Sequence, residues 1–285
     1  MFSWFKKLYS SKGGSGKEKC KLTTEELNEI IKDVDLEGKT RSAVLLCPNK
    51  SQNKLCVDDS KIGGIGVSYN EDLLCRVCNR KMQLFIQVFK KDGICNFIPK
   101  SFDVFEVYRC TNRNCDGIYD ESIDIDTIVI FRKYDPKDDL PEVVNDVDIN
   151  AIPECVLVPV VISDYPDYQD YGRKYIEGLG EIYKNCEDEI FDHISDNYGP
   201  RFGTKFGGYP AWIQNSYEFS CETCGNKKEM IFQLSSDEAR TESDNYGYKL
   251  NWSPHEVMIG DVGNIYVFMC QSCDNHAITT YWDCS

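Results

Sequence analysis

Fifteen cysteines stand in this chain of 285 residues, and eight of them fall in close pairs. The pairs are Cys75/Cys78, Cys110/Cys115, Cys221/Cys224 and Cys270/Cys273. Two cysteines in a tight turn supply two corners of a zinc tetrahedron, and a second pair brought beside them supplies the rest. The spacing points to two structural zinc ions. One would be held by Cys75, Cys78, Cys110 and Cys115, the other by Cys221, Cys224, Cys270 and Cys273, although spacing leaves open whether the pairs combine in this way or across the two sets. Asn79 follows Cys78 and Gly225 follows Cys224. Both residue types take positive φ readily, which lets a knuckle turn aim backbone N–H groups at the sulfurs. Arg80, Lys81, Lys227 and Lys228 bring positive charge to centres whose four thiolates outweigh one zinc. Free thiols and a redox C-x-x-C pair are the competing readings. The redox reading needs the first cysteine at a helix N-terminus, whereas each motif here leads into a strand. His276, three residues after Cys273, could replace a thiolate, but four cysteines are already available.

The chain begins Met1-Phe2-Ser3-Trp4-Phe5-Lys6-Lys7 and shows no signal-peptide pattern, so a cytoplasmic location is expected. Thiols are kept reduced there, and paired cysteines hold metal more often than they form disulfides. The other seven (Cys20, Cys47, Cys56, Cys95, Cys155, Cys186 and Cys284) then read as free thiols acting as small hydrophobes. Lys plus Arg number 32 and Asp plus Glu 47, a formal charge of −15. Such acidity argues against nucleic acid as a partner. No apolar run approaches the roughly 20 residues that span a bilayer, so no integral membrane contact is expected.

The elements that must position the cysteines repeat. Lys61-Ile62-Gly63-Gly64 precedes Cys75, and a strand containing Gln87 follows Cys78. Lys205-Phe206-Gly207-Gly208 precedes Cys221, and a strand containing Gln233 follows Cys224. A further strand leads into Cys110 in the first copy and into Cys270 in the second. Cys75 and Cys221 are 146 residues apart, as are Gln87 and Gln233. The expected fold is mainly β, α+β with a few helices: an internally duplicated antiparallel sheet unit with two zinc-ribbon-like knuckles. Residues 1–22 read as a flexible basic tail, 23–150 as the N-terminal repeat and 151–285 as the C-terminal repeat. Both repeats are expected in one unit. Thr23 and Glu26 have capping-box spacing before a helix that carries Leu27, Ile30, Ile31 and Val34 and ends near Gly38. A second helix is expected over Tyr171–His193, and the acidic stretch from Asp135 to Asp148 reads as a linker.

Nothing in the sequence builds an active site. There is no metalloprotease, nucleophile-elbow or P-loop motif, and the three histidines form no acid–base set. A closed four-cysteine site leaves no position for water. Recognition falls to Tyr209, Trp212, Gln87 and Gln233. Trp212 after Pro210 could lie exposed beside a strand edge and bind a peptide, or it could be core. Gln87 and Gln233 could line a groove or satisfy buried backbone groups.

Lys205-x-Gly207-Gly208, Pro210-x-Trp212-Ile213-Gln214, the Cys221/Cys224 pair and the strand carrying Gln233 resemble the YwqG-like family. The run Gly260-Asp261-Val262-Gly263-Asn264 through Cys270 fits the same family, and the doubled pattern is similar to the programmed-cell-death-2 proteins. The resemblance covers roughly residues 42–283. It implies a duplicated, mainly β unit without enzymatic activity. It also implies a chaperone or adaptor that holds a protein client, or an immunity protein that neutralises a toxin. Many YwqG-like proteins lack the cysteines, so the metal would be an elaboration. With the acidity added, the expectation is a non-enzymatic, zinc-stabilised module for a basic protein client. A zinc- or thiol-dependent enzyme is the further alternative.

Overall fold

The structure is a computed structural model. It describes residues 22–33, 39–68, 73–92, 97–112, 114–115, 127–135, 137, 152–167, 186, 190, 192–194, 197–239, 253–273 and 276–285. Residues 1–21 of the basic tail, the acidic stretch 138–148, Val34, Gly38 and most of the helix expected over 171–193 lie outside these residues.

Ten strands form one antiparallel sheet. They are β1 (Arg41–Lys50), β2 (Lys61–Ile62), β3 (Gln83–Phe89), β4 (Val104–Arg109) and β5 (Thr127–Arg132), then β6 (Cys155–Asp164), β7 (Lys205–Gly207), β8 (Glu229–Ser235), β9 (Asn264–Met269) and β10 (Ile278–Asp283). Their order is β10-β9-β8-β7-β1-β6-β2-β3-β4-β5. The duplication is therefore written into the sheet. Two meanders, β2 to β5 and β7 to β10, flank a central pair, β1 and β6. Each repeat's first strand joins the other repeat's meander. Leu45 of β1 stands against Lys205, as Val156 of β6 stands against Lys61. Neither meander keeps its own first strand, so the halves share one fold. A register shift recurs at the same place, between Leu84 and Ile86 on β3 and between Met230 and Phe232 on β8.

The sheet curls until its edges approach. Phe105 on β4 lies five strands from β7 and six from β8, about 24 and 29 Å if the sheet were flat. Its ring centroid is 5.0 Å from that of Phe206 and 4.8 Å from that of Phe232. The Arg109 guanidinium on β4 sits 5.3 Å from the ring of Trp282 on the opposite edge strand. One apolar core fills the inside, drawing Val44, Leu46, Ile62, Phe105, Phe206 and Phe232 from both halves.

Helix α1 (Thr24–Asp33) starts on the expected capping box. The Glu26 N–H donates to Thr23 Oγ1 at 3.2 Å, and the Thr23 N–H donates to Glu26 Oε2 at 2.7 Å. Ile30 packs with Cys186, Ile190 and Ile194 in a satellite core. Ile190 and residues 192–194 are helical, in agreement with the end of the second expected helix. No helix among the described residues is long and apolar enough to cross a membrane.

Candidate metal centres

Each knuckle is an antiparallel bridge closed by a turn. Leu74 pairs with Lys81 and Ser220 with Lys227. Within the turns the Asn79 N–H donates to the Cys75 carbonyl at 2.9 Å, and the Gly225 N–H to the Cys221 carbonyl at 2.8 Å. Asn79 has φ 56 and Gly225 φ 74, the positive values expected from the sequence. β4 delivers Cys110 and β9 delivers Cys270 to the same end of their meanders. Strand pairing alone thus sets the second cysteine pair beside the first.

The thiols converge as expected. The sulfurs of Cys75, Cys78, Cys110 and Cys115 lie within 4.8 Å of one another, and so do those of Cys221, Cys224, Cys270 and Cys273. Pairs combine within each half, not across them. Zinc–thiolate bonds of about 2.3 Å in a tetrahedron place the sulfurs about 3.8 Å apart. Cys75–Cys115 is 3.7 Å, Cys78–Cys110 3.6 Å, Cys221–Cys273 3.8 Å and Cys224–Cys270 3.6 Å. The donor set and the edge lengths both fit zinc. His276 belongs to neither cluster.

One thiol of each cluster is prepared to ionise. A hydrogen bond from Asn112, helped by the Arg80 N–H, lowers Cys78 to about 6. The N–H groups of Cys224 and Thr223 lower Cys221 to about 6. Their neighbours go the other way. Burial pushes Cys110 up, and hydrogen bonding to the Cys224 sulfur pushes Cys273 up to about 12. Without metal each cluster therefore holds protons between its sulfurs, and metal binding must release them.

Of the other seven cysteines, Cys47 and Cys155 are buried and outside any disulfide, and burial raises Cys155 to about 11. Cys56 is exposed and Cys284 half-buried. Cys186 departs from the free-thiol expectation: it is disulfide-bonded. Cys20 and Cys95 also lie outside them.

Of the residues expected to meet a partner, three are interior. Trp212 is only 6% exposed and packs against Tyr266 and Phe268 at ring distances of 4.8 and 5.9 Å. It closes a cluster with Met230, Tyr266 and Phe268 on the face of β8 and β9 opposite the main core. Gln87 and Gln233 are fully buried. Gln87 accepts from the Val67 N–H and donates to the Val57 and Asp59 carbonyls. Gln233 accepts from the Ala211 N–H and donates to the Gly203 carbonyl. Both satisfy loop backbone that the sheet buries. Tyr209 is half-buried, its ring 4.4 Å from the Arg41 guanidinium and its hydroxyl donating to the Lys39 carbonyl.

The sequence reading missed what Lys-x-Gly-Gly does. Lys205 is fully buried and bonds Asp164 at 2.7 Å, both side chains excluded from solvent. A Cβ on Gly208 would stand 2.1 Å from an Asp164 carboxylate oxygen, and one on Gly64 2.1 Å from a Glu154 carboxylate oxygen. The second glycine admits a carboxylate that the lysine balances. Burial lowers the pKa of both lysines, opposed in the first copy by Glu154 and in the second by Asp164. A buried pair Glu238–His255 at 3.0 Å, with the Thr204 N–H donating to Glu238, was likewise not foreseen. The recurring Lys was the available signal; Glu238 and His255 carry no recurring pattern.

Fold and clusters together define a mainly β, internally duplicated protein with two four-cysteine clusters that could each hold a metal ion. No family model matches the chain, and no curated protein matches it. The resemblance to the YwqG-like family rests on the quoted motifs.

Proposed function

We propose that this protein is a non-enzymatic, zinc-stabilised module that holds a basic protein client, as a chaperone or adaptor. The carrying observation is the pair of closed four-cysteine clusters, which leave zinc a structural role. The net charge of −15 favours a basic client and an association that weakens with salt. With Trp212 buried, contact area must come from elsewhere. Val156 and Val158 are exposed on the face of β6 opposite the core residues Cys155 and Leu157.

Metal analysis of the purified protein should find two zinc ions per chain. The zinc-loaded protein, immobilised, should retain basic proteins from a native lysate and release them as salt rises from about 0.1 to 1 M. Val158→Asp should weaken retention without loss of zinc. Retention of nothing that salt releases, with zinc present, would sink the client reading and leave the metal reading standing.

A further inference from the structure

A cavity of about 710 Å³ opens where β1 begins and β7 ends. Its floor is apolar, made by Phe97, Met230, Ile231 and Met269. Arg41, Lys100 and His276 stand on its walls, and Glu229 is the only acid among its described lining residues. A second cavity of about 450 Å³ shares Arg41 and adds Arg201. Basic groups thus gather around one acid in a chain of net charge −15. We infer that this cavity binds a small organic anion, an apolar body ending in a carboxylate or phosphate.

The size lies within the roughly 300–1,000 Å³ of ligand sites, and an apolar floor with a few convergent polar groups is their usual make-up. The Arg41 guanidinium stacked on Tyr209 keeps its in-plane N–H donors for a two-pronged contact with an oxyanion. Met230 and Met269, unbranched and polarisable, adapt to the shape of the apolar body. Inorganic phosphate alone would leave that floor wet, and a basic ligand would face like charge.

Both halves build the cavity. Phe97 brings the first half's loop onto Phe206, its ring 6.3 Å away, and a Cβ on Gly207 would stand 2.0 Å from the Phe97 ring. The second metal centre holds the opposite wall. The His276 N–H donates to the Cys273 carbonyl and the Cys270 N–H to the Ala277 carbonyl, so the ligand pair fixes His276 and Gln271. The cavity is separate from the client surface on β6.

The test is a fluorescence titration of the zinc-loaded full chain with anilinonaphthalenesulfonate, followed by competition with octanoate, octyl phosphate and octanol. One saturable site is expected. Octanoate or octyl phosphate should displace the probe at about tenfold lower concentration than octanol, and whichever wins identifies the head group. Arg41→Ala with Lys100→Ala should weaken probe binding by about tenfold or more. Unsaturable binding, equal competition by octanol, or indifference to the substitutions would overturn the proposal. Zinc content and melting of the double variant are checked first. If that variant loses its metal, the competition on the unaltered protein decides. Absent zinc in the unaltered protein would count against the metal reading instead.

Discussion

The two candidate metal centres share one chain path and differ in their surroundings. Three of the first centre's cysteines are buried, and they pack in one cluster with Met82, Leu84 and Tyr108. The second centre buries only Cys221 and Cys270, and Cys224 is exposed. Its neighbouring aromatic cluster, around Trp212, contains none of its cysteines. The same knuckle is thus part of the core in one half and borders solvent and a cavity in the other. Duplication preserved the ligand geometry and let the environments diverge.

Cysteine substitution should produce the largest effect. A structural zinc contributes on the order of 10 kcal/mol of apparent folding energy, comparable with the roughly 5–15 kcal/mol that keeps a protein folded. Cys110→Ser should unfold the chain or leave it molten, because its centre is embedded in apolar packing. Cys270→Ser should lose one zinc and keep more of its structure, measured by circular dichroism and metal content. A chromophoric chelator should strip the second centre first. Equal release rates from the two centres would remove the distinction drawn from burial.

Next in size is the contrast between the two buried lysines. Asp164 accepts from Lys205 and from the Arg201 and Tyr209 N–H groups. Lys205→Met leaves that carboxylate buried without its counter-charge, an expected loss of about 3–5 kcal/mol. Lys61 instead donates to the Cys56 carbonyl, with Glu154 acting at longer range. Lys61→Met should cost about 1–3 kcal/mol. Urea unfolding of the two variants measures the difference, and a reversed order would show that Glu154 depends on its lysine more than Asp164 does.

A third contrast is read by pH. Opposite Gln87 stands Glu106, bonded to Tyr108 and 3.4 Å from Arg132. Opposite Gln233 stands Tyr266, bonded to Asp283. The Tyr266 hydroxyl has one hydrogen and two acceptors in reach, the Ala211 carbonyl at 2.8 Å and Asp283 at 2.9 Å. A protonated Asp283 resolves this by donating to the hydroxyl. Burial raises Asp283 from 3.8 to about 6. The folded value lies above the unfolded one, so this contribution is full below about pH 4 and is lost as pH rises through about 6. The loss should be up to about 3 kcal/mol. Asp283→Asn should flatten that slope in denaturant melts across the same range. An unchanged slope would assign the pH dependence to Glu106 and Glu238, whose pKa values burial also raises.

The four cysteine pairs were legible because spacing decides which sulfurs a turn can bring together, but whether pairs combine within or across the repeats was not, because strand pairing decides it. The duplication was legible because Gln87, Gln233 and the glycines recur at nearly fixed offsets. The exchange of β1 and β6 between meanders was not. An apolar strand such as Ala43–Cys47 fits any neighbour, and partner choice is set by loops whose reach has no periodic signal. Trp212 was ambiguous for a related reason. Pro210 suggests an edge, yet Trp212 is buried against Tyr266 and Phe268 on the sheet face opposite the main core, a contact that only the tertiary structure defines.

The smallest expected effect tests how alike the two knuckle turns are. Gly225 and Asn79 occupy equivalent turns at positive φ. A Cβ on Gly225 would meet nothing within 4 Å, so space does not require glycine there. Conformation does, and Asn79 shows which side chain tolerates it. Gly225→Asn should change stability by about 0.5 kcal/mol or less and keep both zinc ions. Gly225→Val should cost about 1–2 kcal/mol, because a β-branched residue resists the left-handed region. Thermal melts with metal analysis read both. If Gly225→Asn released zinc, the two turns would not be interchangeable, and the second centre's exposure would reflect a weaker knuckle rather than thinner packing.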